Sequence, residues 1–508
     1  MSDANRTSFR VVKEPTFRAA VATPNYQEIR FNSENLNYTP TTEVSNELES
    51  TRQVKDLILT GFDVAGDVSC EYSIENHDVL LPGAFCNAWN WTPEIYNGTG
   101  WEYGATATRI SNCVFATGAN TFTVTATSTL SGSAINAATT VFLASTLVRV
   151  TGMTTAANNG IFPATTPTST TVVVTNAAGV SETPPATAKL KMVGVQGGSA
   201  DITAVTAGGN ALVTTTLNWT TLPLIVGQWI KVSNEGGAFS FATAGCNTYA
   251  RISAITATRL SLDIVVGTWA ADTGTAKTIR IYFGDTIRTG QTNLSYRVEK
   301  QMQLDAGTRY AYYRGCEVNT NAISGDTRAI VTTSVSFIGS DSAGFTSSRD
   351  ASAATIVSST GTVLDSSNAV PWLLENGATV TTPNYVSSFT FQIENNLRAQ
   401  NAVGSPGAIG VGQGRAVITG NLNTYFGDET LLNKLITNTA SSVSFSFRDS
   451  ASSKVDIWDI PRLKYSSGVP EITGIDTDIF ANLAFQALRD TLNSRDYTIM
   501  LNRFDYAV

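Results

Sequence analysis

Apolar and polar residues alternate with a period of two along much of this chain, the spacing that turns one face of a strand to a core and the other to solvent. Val68, Cys70, Tyr72 and Ile74 alternate with Ser69, Glu71, Ser73 and Glu75. Leu294, Tyr296 and Val298 alternate with Arg297 and Glu299, and Val331, Thr333, Val335 and Phe337 form another such run. Helical spacing is confined to short pieces. One begins near Asp78 with Leu80 and Leu81. Another has Leu431, Leu432, Leu435 and Ile436 on one face and Asp428 placed to cap its first turn.

The order strand, short helix, strands occurs twice. In the second occurrence Ala416, Ile418, Gly420 and Leu422 precede the helix. Val443, Phe445 and Phe447, then Val455 and Ile457, then Ile479, Ala481, Leu483 and Phe485 follow it. The segment 479–487 also fits a helical stripe through Phe480, Leu483, Ala484 and Ala487. The β-branched run Val331 to Phe337, which holds the matching place in the first occurrence, decides for a strand. Tyr497, Ile499 and Leu501 are expected to form a last strand, closing a hairpin across 493–496.

A long stretch with little charge interrupts the first occurrence. From Val114 to Asp285 there are 8 Lys or Arg and 6 Asp or Glu in 172 residues, about half the charge density of the whole chain. The stretch repeats internally: Leu147 to Gly152 resembles Trp229 to Asn234, and Asn159 lies 88 residues before Asn247. The expected organisation is an N-terminal arm over 1–50, polar and aperiodic, lying on a neighbouring subunit. A first core over 51–112 and 285–400 follows, split by an inserted pair of small outer β-modules at 113–284. A second core covers 401–508. The fold class is mainly β: two duplicated β-sandwich or barrel cores, each with a short flanking helix, plus the inserted modules.

Composition narrows the functions. The 508 residues carry a net charge of −8 with no block of like charge, which argues against tight nucleic-acid binding. No run of 18 apolar residues suggests a membrane span, and no apolar run near the N-terminus suggests a signal peptide. Cys70, Cys86, Cys113, Cys246 and Cys316 lack metal or redox spacing and read as small buried hydrophobes. Catalytic constellations are missing too. His77 is the one histidine, with Asp78 beside it but no nucleophile placed by any motif, so a surface or capping role is expected. Asp476 and Asp478 lack the ligand number of a calcium loop. The glycines at 404, 407, 410, 412 and 414 lack the Lys-Ser/Thr of a phosphate loop and read as a linker or hairpin. No cofactor, metal or catalytic residue is assigned.

Several short motifs carry a resemblance. They are Arg30-Phe31, Leu36, Ser45-Asn46-Glu47-Leu48 with Arg52, then Gly66, Glu71, Asp78, Leu80 and Leu81. In the second half they are Val417 to Phe426, Leu431-Leu432, Pro461 to Lys464, and Ala487 to Asp490. Over roughly 1–112 and 285–508 the chain resembles the tail tube proteins (major tail proteins) of long-tailed, non-contractile bacteriophages. The resemblance implies β-sandwich cores flanked by a helix, whose inner sheets join across subunits into stacked rings around a hollow tube. It implies a structural virion protein made in the host bacterial cytoplasm and located in the virion tail. Expected partners are other copies of the chain in trimeric or hexameric rings, a tape-measure protein, terminator proteins, and genomic DNA passing through the lumen unbound. Arg30, Phe31, Glu47 and Arg52 are the expected inter-subunit contacts, with 1–50 bridging stacked rings. A β-rich adhesin or glycan-binding decoration protein using the Thr-rich modules is the alternative. A β-rich hydrolase is disfavoured by the single histidine.

Overall fold

The period-two segments pair into one sheet of nineteen strands, while most strands of the insertion form a separate sheet of ten. The computed structural model describes residues 4–47, 50, 53–96, 98–99, 108–109, 113–116, 121–124, 128–130, 133–135, 142–165, 171–234, 237–381, 383–470, 472, 474–491 and 495–505. No helix among them is long and apolar enough to cross a membrane.

The first set of large-sheet strands comprises β1 (Thr7–Lys13), β2 (Asn25–Ile29), β3 (Asn37–Val44) and β4 (Leu57–Glu71), followed by helix α1 (Leu81–Phe85). After the insertion come β5 (Asp285–Arg288), β6 (Ser295–Leu304), β7 (Gly307–Asp326), β8 (Thr332–Gly339) and β9 (Asp341–Thr346). The second set is β10 (Trp372–Glu375), β11 (Val386–Glu394), the hairpin strands β12 (Arg398–Gln400) and β13 (Gly410–Gly412), and β14 (Val417–Tyr425). It continues with helix α2 (Thr430–Ile436), β15 (Ser441–Asp449), β16 (Lys454–Ser467), β17 (Phe480–Ala487) and β18 (Met500–Asp505).

The pairings of the two sets match strand for strand. In the first, β7 pairs β6 and β9 along its N-terminal half and β8 along its C-terminal half, β8 pairs β4, and β4 pairs β3. In the second, β16 pairs β15 and β18, then β17; β17 pairs β14, and β14 pairs β11. Each short helix packs on the long strand of its own set. The second set thus begins near Trp372 rather than at 401, because β10 and β11 hydrogen-bond to β15 and β14. Strand β17 covers the helix-or-strand ambiguity at 479–487 and is a strand. Asp428 does serve the helix start, its Oδ1 accepting from the Thr430 N–H at 2.9 Å.

Three expectations are corrected. Residues 7–36 are not an arm. Strand β1 lies between β2 and β6, and Phe9, Val11, Ile29 and Leu36 are buried in the main core. Four core side chains spread over a segment of thirty residues left no periodic signal, but burying each is worth about 1.5–3 kcal/mol. Removing 1–40 would therefore strip the core. Second, β18 makes no hairpin with β17. It pairs β16 and β5, and the contacts described across the turn are the bridge of Asp490 to Tyr497, the Asp496 N–H donating to the Asp490 carbonyl, and the pairs of Arg489 with Asp496 and Arg495 with Asp490. Third, His77 is not at the surface. It is buried against Tyr72, and burial pushes its pKa down to about 4, so it is neutral.

The two internal repeats of the insertion share one sheet instead of forming two modules. Strand 189–197 of the first pairs antiparallel with strand 279–282 of the second. The repeat is exact in its hydrogen bonds. Asn159 accepts from the Met153 N–H and donates to the Met153 carbonyl, and Asn247 does the same with Phe241. This module emerges from the first set and docks on the second. Trp229 lies 5.3 Å from Trp372, Arg251 donates to Asp459 at 3.0 Å, and Arg149 pairs with Asp505.

Candidate functional site

Strands β7 and β11 make the junction between the two sets. Thr320–Asp326 pairs in register with Glu394–Ser388, so the sheet runs unbroken as β4-β8-β7-β11-β14-β17. Alternation then divides the side chains. One face carries Val68, Val335, Ile323, Phe391, Leu422 and Leu483, all buried in a core that both sets share. The other face is open.

Register lines up the open-face residues in rows across the six strands. One row reads Glu71, Thr332, Ser324, Thr390, Asn421 and Ala484. The next reads Ser69, Ser334, Ala322, Gln392, Thr419 and Gln486. A third holds Asp67, Ser336, Thr320, Glu394 and Val417, and a fourth Asp326, Ser388, Asn423 and Asn482. Small uncharged polar residues dominate these positions. The charged ones on these six strands are Glu71, Asp67, Glu394 and Asp326, and the single cation in register with them is Lys464, which extends the second row onto β16 beside Gln486. A solvent-facing sheet ordinarily mixes both signs of charge. Such a face has little to displace counterions from a polyphosphate, and its carboxylates repel one.

Glu317 stands where β7 changes partners, opposite Ile338 at the margin of this face. Burial, with the carboxylate of Glu14 nearby, pushes its pKa up to about 7. A carboxyl whose folded pKa exceeds its unfolded one adds stability below about pH 4.5, and loses that contribution as pH rises toward 7. Stability against urea is therefore expected to fall by about 2 kcal/mol more in the parent than in Glu317→Gln between pH 4.5 and 7.5. Equal slopes for the two proteins would contradict this assignment.

The sequence-predicted contact residues are not gathered at one place. Arg30 donates to Gly361 O at 2.7 Å and to Ser73 Oγ, tying two loops of its own chain. Phe31 packs against the main core, 6.0 Å from Phe9. Glu47 is exposed in the loop after β3, paired with Lys55. Arg52 lies outside the described residues. The open-face residues were visible in the sequence only as the polar half of each strand. Nothing local distinguishes a strand face that lines a surface of function from one that meets bulk solvent.

Four cysteines, at 70, 86, 246 and 316, are buried and free. Among the described residues no group of three or more His, Cys, Asp or Glu could hold a metal ion. No curated protein matches the chain. A family model described as phage tail tube protein matches residues 233–487, about half of the chain, from within the second repeat of the insertion to the end of β17.

Proposed function

The chain belongs to the phage tail tube protein family, and from that premise we propose that it closes into stacked rings whose open sheet face lines the conduit for DNA. The family places it as a structural protein of the virion tail. The observation that carries the ring reading is the internal joint between β7 and β11. It already joins two equivalent cores edge to edge, with hydrogen bonds from Thr320 to Asp326.

Both ends of the unbroken sheet keep a free edge among the described residues. At one end Ser33–Glu34 and β3 pair only with β4. At the other, β16 beyond Leu463 pairs only with β17. These are the counterparts of the two strands in the internal joint. Placing them together between chains repeats that joint and removes both edges. The chain just past β16 supports this, since Val469, Ile472 and Ile475 are exposed there. Three chains then supply six equivalent cores per ring, which favours a three-chain ring over a six-chain one. The docked module lies on the side away from the open face and projects outward, as suits a long-tailed, non-contractile particle without a sheath. A tape-measure protein in the lumen and terminator proteins at the ends are the further partners of this reading.

Negative-stain electron microscopy of concentrated protein tests it, beside particles that contain the chain. Striated hollow tubes with three outward lobes in rotational averages are expected. Persistent discrete monomers, with no tube in the native particle, would overturn the reading.

A further inference from the structure

The first set carries a long hairpin, β3 with the first half of β4, that stands clear of its own chain. Leu57, Ile58 and Leu59 are 58%, 51% and 56% exposed, and Val44 and Val54 are exposed with them. Successive strand residues point to opposite faces, so this hairpin shows apolar side chains on both. An exposed apolar hairpin is a liability unless something covers it.

Its counterpart in the second set is covered. The hairpin of β12 and β13 lies on the first set of its own chain. The Phe62 N–H donates to Pro406 O at 2.9 Å, and Ser340 Oγ donates to Ala408 O. The fit is close: a Cβ on Gly407 would come within 2.5 Å of the Ser340 carbonyl oxygen, and one on Gly61 within 2.9 Å of Pro406 O. The matching pairings of the two sets carry each of these acceptor positions to a second place. Through β4 and β14, Gly61 and Phe62 fall on Arg415 and Ala416. Through β8 and β17, Gly339 and Ser340 fall on Ala487 and Leu488.

A cleft of about 650 Å³ opens at that second place, lined by Gly414, Arg415, Gln486, Leu488 and Arg489, with Cys86 at its base. No described residue accepts a hydrogen bond from the Ala416 N–H, the counterpart of the Phe62 N–H. Glu43, Glu47 and Asp56 on the hairpin have the sign opposite to Arg415 and to Arg489, which also pairs with Asp496.

We propose that this cleft receives the β3–β4 hairpin of the next copy of the chain in the same ring. The proposal rests on the ring reading and adds a direction to it. Each core sends its hairpin to the core before it. Within the chain the recipient is the first set, and across the boundary it is the partner's second set. The hairpin then acts laterally within a ring, and the expectation that Glu47 and its neighbours bridge stacked rings is replaced.

The test uses the full chain with Val54→Cys and Arg415→Cys together, assembled into tubes confirmed by microscopy and treated with a short bis-maleimide. Both positions are exposed, and the four described native cysteines are buried. Covalent species that stop at three chains are expected, absent from either single variant. Normal tubes without interchain product would overturn the proposal, and so would a ladder running past the ring size, which marks axial contact. Absence of tubes from the unaltered chain would instead overturn the ring reading. If the double variant does not assemble, hydrogen exchange on unaltered tubes decides. Amides of 414–416 and 486–489 are expected to exchange at least about tenfold more slowly than in the monomer. Unchanged rates would refute the docking.

Discussion

Arg503→Ala is expected to lower the stability of the folded chain by about 3–5 kcal/mol. The guanidinium is 4% exposed and grips Asp456 through two bonds, Nε at 2.7 Å and Nη2 at 2.9 Å, while Nη1 pairs with Asp78. Tyr72 Oη donates to Asp456 at 2.9 Å and accepts from Trp458 Nε1 at 3.1 Å, so the cluster ties the first set to the second inside the shared core. Removing the cation leaves two carboxylates buried with no counter-charge, and each keeps its desolvation cost. Burial raises the pKa of Asp78, with Arg503 opposing that rise, so the variant's carboxyl will take up a proton more readily. Urea unfolding of variant and parent at neutral pH checks the loss. A change under about 1 kcal/mol would mean that the cluster is solvated in solution. Arg503→Lys is expected to recover part of the difference, since it restores charge without the bidentate fork.

If the open face lines the tube as proposed, Thr390→Lys combined with Asn482→Lys should make it hold DNA. Both side chains are exposed on the face opposite the core, so the fold is expected to change by less than about 0.5 kcal/mol. On the tube reading, each ring then gains inward cations in the middle of a face where the parent has Lys464 at the β16 margin. Open-ended tubes of the variant should bind DNA with a steep salt dependence, about 0.9 in log–log slope for each phosphate neutralised. Phage carrying the variant should eject DNA more slowly. Binding and ejection both equal to the parent would place the open face away from the DNA path.

Much of the fold was legible because strands and short helices declare themselves through local spacing. The alternation at 68–74, 294–298 and 331–337 reappears as β4, β6 and β8, and the duplicated order around Leu431 marks the second set. The N-terminal strands were not legible. Strand β1 contributes Phe9 and Val11 to a core built by residues hundreds of positions away, and nothing in its own neighbourhood repeats. The last strand was misassigned for a related reason. A hairpin is the shortest closure, but β18 gains more by burying Met500, Leu501 and Phe504 between β16 and β5. Arg503 gave no signal at all, since its partners Asp78 and Asp456 are distant in sequence.

By itself, the sequence of this protein determined the β character, the doubling of a strand–helix–strands unit, the low charge of the insertion and the shortage of catalytic side chains. Those properties follow from the period of side-chain direction along a strand and from residue type, which act over a few residues. Tertiary pairing was needed to show that β11 continues the sheet of the first set, that the polar rows form one face poor in cations, and that one hairpin is seated while its twin is not. These depend on which strand edge meets which, and edge pairing is settled by hydrogen bonds and packing between segments far apart along the chain.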